Sequence, residues 1–282
     1  MKINQLAMLL ATTPILMTGC ATTSTSAAYD KTHSKAFNIA QAGGLYEVKD
    51  RIVPRTEYES LIFTGNTTTN TLLFTSSLGA NMDLGAGLGM GLLTSVLEQP
   101  GTASRNSVVA WMPQSEAATS EEAQAKLVSQ MKVAMEDTLQ EMGLSYEVTN
   151  GNSERKVELY FHNEEFGCPE YQQGMTNKDL CYIATEIFEP RETVSPSFVS
   201  SAQNSYAFES NHKVYYHRFR VTPGRDSNVP TDQMYATVSS KLPEWVYLYI
   251  ASGDIQINKT TVKAPYLLEQ GKAHLFIHPE ES

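Results

Sequence analysis

A strand, a capped helix and a hairpin follow one another between residues 106 and 162, and this run narrows the fold more than any other part of the chain. Ser107 to Met112 (SVVAWM) is apolar and partly β-branched and ends at Pro113, so it reads as a strand. Thr119-Ser120-Glu121-Glu122 has the Thr-x-x-Glu form of a capping box, in which side chains satisfy the orphan N–H groups of a helix start. The helix is expected to run to about Met142, with Leu127, Met131, Met135, Thr138, Leu139 and Met142 on or near one face. The methionines there read as core rather than as a soft binding face. Gly143 is a natural stop. Leu144 to Val148 reads as a returning strand, and Asn150-Gly151 as a turn. Lys156 to Phe161 then alternates, with Val157, Leu159 and Phe161 on one face. The order is β-α-β-β, with the helix laid on a mostly antiparallel sheet, and the fold class is α+β.

The remainder divides around that unit. Residues 166–282 read as a strand-rich part that holds nine of the fourteen tyrosines, which raises the question of an aromatic surface. Its expected elements are an alternating strand Lys213–Val221, a short helix from Thr231 to Leu242 capped by Thr231, and a strand Trp245–Ile250. A further strand is expected over Ile255–Val262, and then a hairpin about Glu269-Gln270-Gly271-Lys272. Residues 46–105 carry strand-like runs at 58–63 and 71–75 around a Gly-Asn turn, then an apolar segment where Gly85, Gly87, Gly89 and Gly91 alternate with larger residues. As a helix that segment would present overlapping G-x-x-x-G pairs, the spacing that brings helices close in membranes. As a loop it would allow tight backbone packing. The apolar stretch after Asp83 covers only fourteen residues, short of the ~20 needed to span as a helix.

The chain opens on Lys2 and an apolar run from Leu6 to Met17, too short for a spanning helix and of signal-peptide length. Met17-Thr18-Gly19-Cys20 resembles the lipobox of bacterial lipoproteins, with Met in place of the usual Leu. That resemblance implies cleavage before Cys20, which leaves residues 1–19 behind, and acylation of the Cys20 sulfur and new amine. Ala21 is unlike the aspartate associated with inner-membrane retention, which implies an outer-membrane anchor facing the periplasm. Residues 20–45, rich in Ala, Ser and Thr, read as a flexible tether. The β-α-β-β order of residues 106–165 also resembles small α+β modules of many periplasmic and outer-membrane lipoproteins, in topology only.

With Cys20 carrying lipid, Cys168 and Cys181 remain as a pair, and an oxidising periplasm favours joining them. Charge narrows the partners further. The chain carries 21 Lys+Arg against 31 Asp+Glu, and removing residues 1–19 with their single lysine leaves a net charge of −11. That argues against nucleic acid and against a general electrostatic pull toward anionic lipid. The implied partners are the lipid bilayer through acylated Cys20, further copies of the chain or an envelope protein complex, and peptidoglycan.

Catalytic patterns are sparse. The sequence holds no G-x-S-x-G, H-E-x-x-H or metal-spaced Cys/His set. His162 with Glu164 and Glu165 is the one acid–base candidate and would make the chain a hydrolase of unrecognised type. His212 and His217 fall on opposite sides of a strand-like run, and His274 with His278 lies near the tail. Tyr215, Tyr216, Trp245, Tyr247 and Tyr249 are candidates for a stacking platform for sugar rings. The leading expectation is a non-enzymatic structural or assembly lipoprotein without cofactor or metal, in which residues 84–92 pack subunits or touch membrane. A glycan- or envelope-ligand-binding lipoprotein is the alternative.

Overall fold

The computed structural model of the chain describes residues 28–56, 58, 104–149, 153–172, 175–176, 178–199, 204–210, 216–257 and 260–280, with backbone only over 252–263. Cys20, Gly85, Gly87, Gly89, Gly91, Tyr215 and the hairpin expected over 58–75 lie outside this description, apart from Tyr58.

Ser107–Pro113 forms a strand with no residue before Pro113 more than 1% exposed. Both of its faces are covered, which is why its sequence is an unbroken apolar run. Calling the short strand Arg51–Val53 β1 and Ser107–Pro113 β2, the main helix α2 spans Ser120–Glu141 after a first helix α1 at Lys35–Ala42. Thr119 caps α2 through its hydroxyl, which accepts from the Glu122 N–H at 3.2 Å. Glu122 reaches back one residue further than the usual box and accepts from the Ala118 N–H at 2.8 Å. Gly143 takes φ +69° and ends the helix. Strands β3 (Ser145–Val148) and β4 (Lys156–His162) follow as an antiparallel pair, as the pattern predicts.

The chain continues as β5 (Cys181–Glu186), β6 (Arg191–Val194), β7 (Asn204–Phe208), β8 (Arg218–Thr222), helix α3 (Thr231–Ser240), β9 (Val246–Ile257), β10 (Thr260–Glu269), β11 (Lys272–Leu275) and β12 (Ile277–Pro279). Ten strands make one sheet in the order β11-β10-β9-β2-β8-β5-β4-β3, with β7 on β2 and β6 on β7, and every pairing is antiparallel. β1 and β12 form a separate parallel ribbon. The class is α+β with a strand-rich C-terminal part.

Three local expectations are corrected. Thr231 is the first residue of α3, not its cap, since Pro230 precedes it and no side chain caps that end. The run Ile255–Val262 is the tip of the β9–β10 hairpin, where Val262 pairs with Ile255, rather than one strand. The alternating run from Lys213 is strand only from Arg218. The turn after β10 is as expected. Gln270 and Gly271 both take positive φ, +46° and +78°, the geometry of the two-residue hairpin turn that matches sheet twist.

The sheet separates two cores. On one face α2 and α3 pack Leu127, Met131, Met135, Leu139, Met234 and Val238 against Val108, Ala110, Leu159, Phe161, Ile183, Phe219 and Leu248. On the other face α1 packs Ala36, Ile39 and Ala40 against Val109, Trp111, Tyr247, Tyr249, Leu267 and Phe276. An eight-residue helix is marginal in isolation. Burial sustains it, and Ile39 alone, fully buried, contributes roughly 1.5–3 kcal/mol.

The flexible tether expected through residue 45 is therefore corrected. Ser34 caps α1 by accepting from the Phe37 N–H at 3.0 Å. The Asp50 carboxylate takes the Ser34 N–H at 2.6 Å and its hydroxyl at 2.5 Å. Glu269 on β10 takes Lys35 and, at 2.8 Å, His274. At the far end the Gly43 carbonyl accepts from the Ser210 N–H at 2.8 Å. The small-residue composition of SKAFNIAQAGG concealed an amphipathic turn whose apolar positions are mostly alanine.

Glu186 pairs with Arg218 and Arg191 with Ala207, so residues 187–190 separate two stretches of antiparallel pairing. His217 lies at this break. Its Nδ1 accepts from the Phe188 N–H at 3.1 Å, and the ring also hydrogen-bonds the Glu209 backbone. Cys168 and Cys181 are joined as a disulfide, as the cysteine count predicts, and it ties the loop after β4 to the start of β5.

Candidate functional site

Alternation along β4, β5 and β8 decides which residues reach solvent. Val157, Leu159, Phe161, Ile183, Phe219 and Val221 belong to the core under α2. Glu158, Tyr160, His162, Tyr182, Arg218 and Arg220 therefore point to the opposite face. The α1 core contains no residue of β4, β5 or β8, so among the described residues this half of the sheet has no covering helix.

A row of aromatic rings lies there. Tyr160 and Tyr182 are cross-strand partners, with centroids 6.1 Å apart and rings at 80°. Tyr171, from the loop that the disulfide closes, stacks on Tyr160 at 5.8 Å and 12°, and is 52% exposed. The Arg220 guanidinium sits 4.9 Å from the Tyr182 ring centre, a cation–π distance. Burial, and then the Glu158 carboxylate, push the Tyr160 phenol up, so it stays a neutral hydroxyl. The disulfide thus has a positional effect, because Cys168 lies three residues before Tyr171 and Cys181 one before Tyr182.

His162 closes one end of the row. Its Nδ1 lies 2.8 Å from the Cys168 carbonyl, and its Nε2 is 3.9 Å from Glu170. Glu170, rather than the expected Glu164 or Glu165, is the carboxylate that faces His162. Among the described residues no group of three or more His, Cys, Asp or Glu is placed to hold a metal ion. His274 and His278 are also separated by their contacts, His274 with Glu269 and His278 with the carbonyls of Lys31 and Pro279.

The tyrosine platform expected further along the chain is corrected. Tyr247 and Tyr249 are fully buried beneath α1, and Trp245 is 5% exposed in the opposite core, so the three share no open surface. Tyr216 packs partly against the α1 core, with Arg105 5.8 Å from its ring centre. Aromatic density along β9 signalled a strand covered on both faces. The readable signs of the observed row were Tyr160 at an outward position of KVELYFH and Tyr171 and Tyr182 beside the paired cysteines.

An open cleft of about 770 Å³ lies where β5 gives way to β6 and is lined by Gln124, Ser153, Glu154, Arg155, Phe188, Glu189 and Pro190. Arg155 covers the Phe188 ring at 5.3 Å, and Glu189 accepts from the Ser120 hydroxyl at 2.6 Å. Among the described residues no helix is long and apolar enough to cross a membrane. Set against known proteins, the chain matches no protein-family model, no curated protein and no solved structure.

Proposed function

We propose that the chain is an exported lipoprotein, held in the outer membrane by acylated Cys20 and facing the periplasm, with a non-enzymatic structural or assembly role. The Cys168–Cys181 disulfide carries this reading. It suits an oxidising compartment and leaves Cys20 alone behind an apolar leader of signal-peptide length. Replacing Cys20→Ser is expected to move the protein from the membrane pellet to the soluble periplasmic fraction. An unchanged membrane fraction contradicts the anchor.

The assembly role draws on the alternating glycines. Gly87→Leu with Gly89→Leu is expected to lower the particle mass of the detergent-solubilised protein by light scattering. An unchanged mass removes residues 85–91 from any subunit contact.

The tyrosine row, in which Tyr171 is half exposed, Tyr160 partly exposed and Tyr182 buried, favours a second reading, the binding of a glycan such as peptidoglycan. Flat aromatic faces take the apolar face of a sugar ring, while Arg220, His162 and Glu170 supply hydrogen bonds to its hydroxyls. Tyr171→Ala combined with Tyr160→Ala is expected to weaken retention on purified peptidoglycan about tenfold, or ~1.4 kcal/mol. The melting temperature serves as a control for folding, since Tyr171 is half exposed. Unchanged retention with intact folding excludes the row as a glycan site.

A further inference from the structure

The described residues include six exposed large apolar side chains, and three of them, Tyr29, Tyr46 and Ile52, fall in the α1–β1 unit, at 40%, 63% and 69% exposure. The other three are scattered over α2, β3 and the disulfide loop. An isolated exposed apolar residue needs no explanation, but a local excess marks an interaction surface. The same unit departs from the acidic character of the chain. Residues 28–56 hold Lys31, Lys35, Lys49, Arg51 and Arg55 against Asp30, Glu47 and Asp50. Lys31, Lys49 and Arg55 are exposed, as are Asp30 and Glu47, while the Asp50 carboxylate is buried against Ser34 and His33. Lys35 is paired with Glu269 and is not counted toward the surface.

The connection to Cys20 identifies the occupant. Seven residues lie between Cys20 and Ala28, where the described fold begins, and that length of chain reaches at most about 28 Å. Tyrosine is favoured at the membrane–water interface, and nearby cations are drawn to anionic head groups. The net charge of −11 argued against a general pull to lipid, but the exposed charge of this unit, three cations against two anions, is not acidic where the anchor enters.

We infer that the α1–β1 unit is a second, non-covalent membrane contact, in which Tyr29, Tyr46 and Ile52 enter the head-group layer and Lys31, Lys49 and Arg55 meet anionic lipid. The inference rests on the Cys20 anchor proposed above. It fixes which side of the domain faces the bilayer and leaves the tyrosine row of β4, β5 and β8 to other partners.

The test uses the full mature protein, reconstituted in vesicles of phosphatidylethanolamine and phosphatidylglycerol. Single variants Tyr46→Cys, Ile52→Cys and Val133→Cys are labelled with a polarity-sensitive fluorophore. All three sites are exposed, so labelling leaves the core intact. Emission at 46 and 52 is expected to shift to the blue, with at least twofold stronger quenching by lipids brominated in the upper acyl chain than at 133. Flotation and the mass of Cys20 are scored in parallel. Acylated protein that floats, yet shows no difference between 46, 52 and 133, overturns this face alone. Protein that carries no lipid and does not float overturns the anchor, and the orientation with it.

Discussion

Lowering the pH from 6.5 to 4 is expected to remove about 3 kcal/mol of folding stability through His217 alone, whose pKa burial pushes down to about 4. The ring is 2% exposed and lies between Phe208 and Phe188, with centroids at 5.6 and 6.2 Å. Nδ1 accepts from the Phe188 N–H, so a proton there would break the contact that joins β8 to the segment after β5. The unfolded chain binds that proton near 6.5 and the folded chain near 4. Stability from this residue is complete above 6.5 and lost as the pH falls toward 4. Glu269 acts in a lower window. Its carboxyl is held down at about 2, against the cost of burial, by His274 and Lys35, so its contribution is present above the ordinary carboxylate range and lost below it. Urea unfolding at pH 7 and 4.5 measures the His217 effect. His217→Gln keeps an acceptor for Phe188 and a hydrogen-bonding group for Glu209 but cannot titrate, so it should flatten the slope between pH 6.5 and 4. A variant that keeps the wild-type slope places the titration elsewhere.

Gly44→Ala is expected to cost about 3 kcal/mol, the sum of left-handed backbone strain and overpacking. Gly44 takes φ +82°, and an added Cβ would lie 2.3 Å from the Ser210 carbonyl oxygen. That oxygen is backbone and cannot rotate away, and the neighbouring Gly43 carbonyl is bonded to the Ser210 N–H. The substitution therefore strikes the joint that docks α1. Gly143→Ala is the control, because φ is also positive, at +69°, but nothing lies within 4 Å of the new carbon. It should cost only the backbone strain, about 1 kcal/mol. Denaturant midpoints of the two variants separate the terms, and hydrogen exchange at Ile39 and Ala40 shows whether α1 opens first. Equal costs at the two glycines would contradict the close approach at Ser210.

The β-α-β-β unit was legible because its signals are local. A capping threonine, a stop glycine and a period-two strand each sit within a few residues of what they determine. The disulfide was legible from cysteine parity. The placement of α1 was not, since Ala36, Ile39 and Ala40 make a weak apolar stripe that only the distant surface of Val109, Tyr249 and Phe276 turns into a binding face. The aromatic site was misplaced for a related reason. Tyr247 and Tyr249 alternate like surface residues, and the helix that buries them comes from a segment some two hundred positions earlier. Tyr160, Tyr171 and Tyr182 are scattered in sequence and meet only through the β4–β5 register and the cysteine-closed loop. The break between β5 and β6, where His217 meets Phe188, is announced by no periodicity.

The central claim is the lipid anchor, and the mass of the intact protein extracted from membranes tests it most directly. The account predicts a chain beginning at Cys20, without residues 1–19, and heavier than that polypeptide by a diacylglyceryl group and an amide-linked acyl chain. A chain that retains its first nineteen residues, or one that begins elsewhere with Cys20 unmodified, would contradict it.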